Sequence, residues 1–177
     1  MVRISARGLC NISPYIKAKD AEKVAQIINE RASKYGITTK FRLCAFIATI
    51  IHESGCFRYT KELASGRAYE FRTDLGNTPI DDGDGAKYKG RGFIQITGRA
   101  NYEKVQDALK VPCVEQPELL ESYPLCLVAS MWWWHAHGCN QLADRDNIEL
   151  VTRRVNGGYN GLTERKKYYE LAKLYVI

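Results

Sequence analysis

No stretch of this chain is apolar for the roughly 20 residues that cross a bilayer. The longest such runs, Leu43 to Ile51 and Leu125 to Trp134, are about half that length, so a soluble protein is expected. Arg3 and Arg7 open the chain, but neither an apolar run of about 7–15 residues nor a small-residue cleavage site follows, and no secretory signal is expected. Close cysteine pairs are missing as well. Cys10, Cys44, Cys56, Cys113, Cys126 and Cys139 contain no CxxC spacing, and the chain is not small enough to depend on a disulfide frame, so reduced and mostly buried thiols are expected. There is no dense Lys/Arg block with interleaved aromatics and no nucleic-acid module. The net charge of +6 then reads as a solvated surface with some attraction for polyanions such as nucleic acid, anionic lipid or bacterial cell-wall polymers, among which charge alone does not choose. Repeats, low-complexity tracts and linkers are likewise absent, and 177 residues at 45% apolar composition suffice for one core, so residues 1–177 read as a single domain.

What the sequence does have is helical periodicity. Ala21, Val24, Ala25, Ile28 and Ala32 form one apolar stripe, with Asp20 as the expected N-cap. A second helix starting near Thr39 is apolar nearly all round from Phe41 to Ile51, which marks a buried central helix ending at His52-Glu53-Ser54-Gly55. Periodicity fails from Lys61 to Gly92, where Gly, Asp, Asn and Pro accumulate. Long loops inside small domains usually serve function. Helices are expected again at 100–109, 117–122, 124–137 with Gly138 as the stop, 147–155 and 163–174. Asp146-Asn147-Ile148-Glu149 resembles a capping box led by Asp146. The fold class is therefore mainly α with a loop-rich insert.

Glu53 stands out among the residues that could do chemistry, because a carboxyl at a helix C-terminus meets the negative end of the dipole and a buried one resists ionisation. Both effects suit a general acid. Glycoside cleavage needs a second carboxylate across the bond, for which Glu62, Glu70 and Asp74 compete. In Phe93-Ile94-Gln95-Ile96-Thr97 the alternation predicts a short strand that buries both isoleucines and turns Phe93, Gln95 and Thr97 the other way. Other motifs fail. Residues 85–92 lack the GK[ST] of a phosphate loop, His52-Glu53 lacks the second His of HExxH, and Asp82-Gly83-Asp84-Gly85 lacks the remaining ligands of a calcium loop. His52, Cys56, His135 and His137 show no recognised zinc spacing. Trp132, Trp133 and Trp134 point about 100° apart on a helix, so they read mostly as core rather than as one sugar-stacking face. Arg165, Lys166 and Lys167 read as the solvated basic side of a docked last helix.

Three ordered segments, residues 51–55 (Ile-His-Glu-Ser-Gly), 90–102 (Gly-Arg-Gly-Phe-Ile-Gln-Ile-Thr-Gly-Arg-Ala-Asn-Tyr) and 151–158 (Val-Thr-Arg-Arg-Val-Asn-Gly-Gly), resemble glycoside hydrolase family 19. That family contains chitinases and the lysozyme-like endolysins of bacteriophages and bacteria. The resemblance implies a lysozyme-like α-helical fold with a deep cleft and a short strand in a loop-rich insert, and hydrolysis with inversion by one Glu as acid and another as base. It puts Glu53 at the acid, Glu62 at the base as in endolysin-like members, and Thr97 at the residue that orients water. It implies that His52, Tyr88, Gln95, Asn101 and Asn156 bind substrate. No metal or organic cofactor is implied, and neither nucleic acid nor stable membrane insertion; a monomer is expected. Plant-type chitinases carry additional loops that are missing here, so the chain looks closer to endolysins of phages infecting Gram-negative hosts. The expected substrate is the β-1,4-linked glycan of peptidoglycan, with chitin as the alternative. Such endolysins wait in the host cytoplasm without a signal and act on the wall in the periplasm after release.

Overall fold

Thr39, in extended conformation, accepts the Arg42 N–H on its hydroxyl and starts the central helix, α3 (Lys40–Glu53). All nine residues from Leu43 to Ile51 are buried. Each large apolar side chain among them contributes about 1.5–3 kcal/mol by leaving water, so this helix is the axis of its surroundings, as its composition predicts. Phe41 departs from that pattern, at 39% exposed with Lys173 Nζ 5.9 Å from its ring centre.

The computed structural model describes residues 2–177, which divide into two compact units. One holds the chain up to Arg58 and again from Trp133, and the other is Tyr59–Trp132. The first unit contains α1 (Ala6–Ile12), α2 (Ala18–Arg31), α3, the end of α6 (Leu125–Ala136), α7 (Cys139–Ala143), α8 (Ile148–Asn156) and α9 (Leu162–Tyr175). Here α9 packs along α3 and buries Arg165, Tyr168, Tyr169 and Ala172, while α1 packs on α2 and α9. The stripe Ala21, Val24, Ala25 and Ile28 of α2 is buried as its spacing predicts.

Two helix starts differ from the sequence reading. Helix α2 begins at Ala18 after Lys17, so Asp20 lies inside the first turn and meets the positive end of the dipole rather than capping it. Helix α8 is capped by Asn147, whose Oδ1 accepts the Glu149 N–H at 2.9 Å. Asp146 leads no capping box, because it sits in the left-handed region (φ 50°) and accepts Tyr169 OH at 2.6 Å and Lys173 Nζ at 2.8 Å. Helices α1 and α7, of seven and five residues, are too short for periodicity to reveal. Of the three tryptophans only Trp134 is fully buried, edge-on to Phe46 with ring centres 5.4 Å apart and with Nε1 donating to Asn140. Trp132 and Trp133 are half-buried, and Trp133 stacks on His137.

The second unit holds α4 (Asp84–Lys87), α5 (Arg99–Leu109), the start of α6 and 3-10 turns at Arg67–Tyr69, Thr73–Leu75 and Pro117–Glu121. The last of these stands where an α-helix was expected. Among the described residues there is no β-strand, only isolated bridges pairing Arg91 with Lys61 and with Ile96. Residues 93–97 therefore form no strand. Gly92, at φ 88°, folds residues 92–95 into a turn closed by the Arg91 and Ile96 backbones at 3.1 and 2.8 Å. As a result Phe93 is buried together with Ile94 and Ile96, and only Gln95 and Thr97 stay half-exposed. The hub of this unit is Arg91, 8% exposed. Its guanidinium donates to Glu121, to the carbonyls of Lys87 and Lys89, and to Tyr102 OH.

All six cysteines are free thiols, and only Cys10 is exposed. Burial pushes Cys44, Cys126 and Cys139 up to about 12 and Cys113 to about 11, so these four are poor nucleophiles at neutral pH. Among the described residues no helix is long and apolar enough to cross a membrane.

Carboxylates join the helices of the first unit. Arg42 holds Asp144 low, Lys173 and then Tyr169 hold Asp146 low, and at Glu164 the hydrogen bonds from His52 and Tyr168 outweigh the upward push of partial burial. Groups with lowered folded values add stability above their unfolded values and lose it as pH falls through the folded ones. The melting temperature should thus be flat above about pH 5 and fall below about pH 4, and Asp146→Asn should remove part of that fall. Thermal melts across this range that show no acid limb would contradict the pairing.

Candidate active site

Helix α3 stops abruptly after Glu53. The Ser54 hydroxyl donates to the Ile50 carbonyl at 2.5 Å and accepts the Phe57 N–H at 2.7 Å. Gly55, Cys56 and Phe57 then turn the chain with three successive positive φ angles, 56°, 62° and 64°. The last two are non-glycine residues held in a disfavoured region, so packing must enforce the turn. It leaves the side chains of His52 and Glu53 projecting from the helix end, each half-buried.

Two consecutive residues of α3 pair there with two consecutive residues of α9, each carboxylate facing a nitrogen-bearing partner on the other helix. Glu53 accepts a hydrogen bond and ion pair from Arg165 Nη2, and His52 Nδ1 lies 2.5 Å from Glu164 Oε2. The Arg165 side chain is only 1% exposed and that of Glu53 is 24% exposed. Arg165 Nε and Nη1 are buried without a protein acceptor, so compensation of this buried cation falls on Glu53. The carboxyl expected to be buried at the helix end is partly exposed and lies against a guanidinium. Glu164 also accepts Tyr168 OH at 3.0 Å, and Tyr168 OH lies 3.3 Å from Cys56 Sγ. Gly161, at φ 72°, abuts the His52 ring so closely that a Cβ there would overlap it. Asn156 lies exposed at the end of α8, with Nδ2 donating to the Asn160 carbonyl at 3.2 Å.

Arg165 and Glu164 are the residues the sequence reading missed. Arg165 does not share the solvated basic side expected for it with Lys166 and Lys167: Arg165, Tyr168, Tyr169 and Ala172 fall at i, i+3, i+4 and i+7 and form the buried stripe. A cation on an apolar stripe was the available signal.

The second unit holds the other candidates. Glu62 is half-buried; its Oε1 accepts Tyr69 OH at 3.1 Å and its Oε2 accepts the Gly90 N–H at 3.1 Å, while its own N–H donates to the Gly90 carbonyl. Partial burial, and then the Glu62 charge, push the Tyr69 phenol above its ordinary value. Gly90 is also where Gln95 arrives, since a Cβ at 90 would overlap Gln95 Oε1. Glu62 and Gln95 thus flank the same glycine. Gln95 Nε2 donates to the Gly92 carbonyl at 2.9 Å and its Oε1 is buried without a protein donor. Asn101 Nδ2 donates to the Thr97 carbonyl at 2.7 Å and so fixes the backbone at Thr97. Tyr88 is fully buried, with its hydroxyl donating to the Val114 carbonyl and Arg99 4.9 Å from its ring centre. It is a core residue with no exposed surface for a sugar, contrary to the expected contact.

The competing carboxylates have other work. Glu70 accepts the backbone N–H groups of Asp82, Gly83 and Gly85 at 3.3, 3.0 and 2.8 Å. Asp74 forms a two-pronged pair with Arg72 on the surface, and that pairing holds its carboxyl below the usual range. No group of three or more His, Cys, Asp and Glu suited to a metal ion occurs among the described residues. His52 and Cys56 belong to the Glu164–Tyr168 network, while His135 and His137 are engaged elsewhere with the carbonyls of Tyr35 and Trp133.

Each unit by itself presents a carboxyl suited to glycan hydrolysis, Glu53 at the end of a buried helix in the first and Glu62, loop-held beside the Gln95 amide, in the second. Residues 29–152 match the family model of class I chitinases, glycoside hydrolase family 19. A family 19 domain-containing protein of Haemophilus influenzae is 32% identical, over 82% of this chain and 86% of that protein. An endochitinase of Arabidopsis thaliana is 33% identical, but the match covers 72% of this chain and only 43% of the plant protein. Among solved structures, chitinase C of Streptomyces griseus superposes with a TM-score of 0.77 at 21% identity over 97% of this chain and 75% of that one, which establishes the fold. The chain belongs to glycoside hydrolase family 19 and is a chitinase-like enzyme with the mainly α, lysozyme-like fold of that family.

The Arg165 environment generates a prediction about stability. Glu53→Ala strands a buried cation and should cost about 3–5 kcal/mol, whereas Glu53→Gln keeps an acceptor oxygen and should cost much less. Denaturant titrations of both variants measure the difference, and equal stabilities would show that Arg165 does not depend on Glu53.

Proposed function

We propose that the enzyme hydrolyses the β-1,4 glycosidic bonds of bacterial peptidoglycan with inversion, Glu53 acting as general acid and Glu62 as general base. In this reading Glu53 protonates the leaving oxygen while Glu62 takes a proton from a water attacking the opposite face, a geometry that needs carboxyl groups about 6.5–9.5 Å apart. Thr97 orients that water, and His52, Gln95, Asn101 and Asn156 bind or brace the sugar. Arg165 keeps Glu53 on one rotamer.

The observation that carries the reading is the meeting of Glu62 and Gln95 at Gly90. Of the three candidate carboxylates, Glu62 alone stands beside an amide able to bind sugar while keeping lone pairs for a water. Glu70 is occupied by three backbone N–H groups and Asp74 by Arg72. Peptidoglycan is favoured by a net charge of +6 that suits an anionic wall polymer. The site of action would be the cell wall. Chitin is the second reading, favoured by the class I chitinase family match.

Mass spectrometry of digested peptidoglycan, run beside a chitin digest, tests the substrate. Soluble disaccharide fragments from the wall polymer are expected, and release from chitin alone would replace this reading with the second. Alanine at 62 should lower turnover by at least about 10², with azide restoring cleavage to give an inverted glycosyl azide. Alanine at 70 should mainly lower the melting temperature, and alanine at 74 should change little. A fully active Glu62→Ala beside an inactive Glu70→Ala would move the base to Glu70.

A further inference from the structure

Within the second unit a cavity of about 520 Å³ is lined by Arg67, Glu70, Phe71, Asp81, Gly83 and Ala86. Glu70 is part of its construction, since its carboxylate carries the 82–85 turn through three backbone N–H groups. Three other groups are uncommitted. Arg67 and Asp81 enter no ion pair among the described residues. The Phe71 side chain leaves its residue 56% exposed, and its backbone sits at φ 62°, a region that a bulky residue seldom adopts. Gly83 leaves the space beside it open, with nothing within 4 Å of where a Cβ would stand.

A cation, an anion and an aromatic face around one cavity suit a ligand that carries a carboxylate, an ammonium and an alkyl stem together. That is the chemistry of a short peptide with free charged ends or side chains. An uncharged N-acetylated polysaccharide such as chitin offers neither charge. We propose that this cavity binds the peptide stem of peptidoglycan, with a stem carboxylate on Arg67, a stem ammonium on Asp81 and an alkyl segment against Phe71. The proposal rests on the wall-glycan reading above and deepens it, making residues 67, 71 and 81 determinants of specificity between wall polymer and chitin. The same segment reaches the proposed base. Tyr69, flanked by Arg67 and Phe71, donates its hydroxyl to Glu62, so a stem held in the cavity lies along the peptide that braces the base.

The test uses a synthetic stem tetrapeptide containing a diamino acid, which has no glycosidic bond, with binding followed by calorimetry to the intact protein. Wild type should bind it saturably, and Arg67→Ala and Asp81→Asn should each weaken binding by about tenfold, the scale of one lost charge-assisted contact. On peptide-bearing glycan strands Arg67→Ala should lower kcat/KM by a similar factor. On strands stripped of peptide by an amidase its turnover should match wild type, which also shows that the variant folds. No peptide binding by wild type, or equal binding by the variants, overturns the cavity assignment even if the wall polymer is cleaved. Peptide binding that the variants lose, in a protein that cleaves only chitin, supports the cavity assignment and overturns the wall-glycan reading instead.

Discussion

A guanidinium taken out of water must be compensated where it lies, because an uncompensated buried charge costs several kcal/mol. Arg165 has one protein acceptor, Glu53. That single dependence organises the first unit. Helix α3 has to end at residue 53 so that its last carboxyl meets α9, and the three left-handed residues after Ser54 achieve that ending against their own backbone preferences. Gly161 has to be glycine because His52, the neighbour of Glu53, fills the space beside it. The two pairs therefore tie the end of the most buried helix to the start of α9, which is how the fold gives a half-exposed carboxyl a fixed direction.

The second unit solves the same problem differently. Arg91 is nearly as buried but has four acceptors, two carbonyls, a phenol and the Glu121 carboxylate, and so is structurally self-sufficient. It pins the 87–91 backbone in place, and with it Gly90, against which Glu62 and Gln95 are set. Because Arg91 is satisfied by Glu121, which Lys61 also holds, Glu62 is left with only a phenol and one backbone N–H. A carboxylate with spare lone pairs is what a general base requires.

Much of this was legible in the sequence. The run from Leu43 to Ile51, apolar but for Thr49, reads as a buried helix, and the stripes of α2 and α9 fall at helical spacing. Other features were not. The choice among Glu62, Glu70 and Asp74 depends on which backbone N–H groups a loop turns inward, and periodicity says nothing about that. Alternation in residues 93–97 pointed to a strand, but Gly92 at positive φ closes a turn there instead. The charge of Arg165 points to solvent, whereas its spacing from Tyr168, Tyr169 and Ala172 puts it on the buried stripe. The two carboxyl roles came from the family resemblance, since spacing alone left the pair undecided, and the sugar contact expected of Tyr88 fails because that side chain is fully buried.

A double-mutant cycle on turnover, using Glu53→Gln, Arg165→Met and both together, tests whether Glu53, held by Arg165, is the acid. Glu53→Gln should lower kcat by at least about 10²–10⁴ with the protein still folded, and adding Arg165→Met to it should cost little more, because Arg165 acts through Glu53. Near wild-type turnover in Glu53→Gln, or losses that simply add, would contradict that assignment.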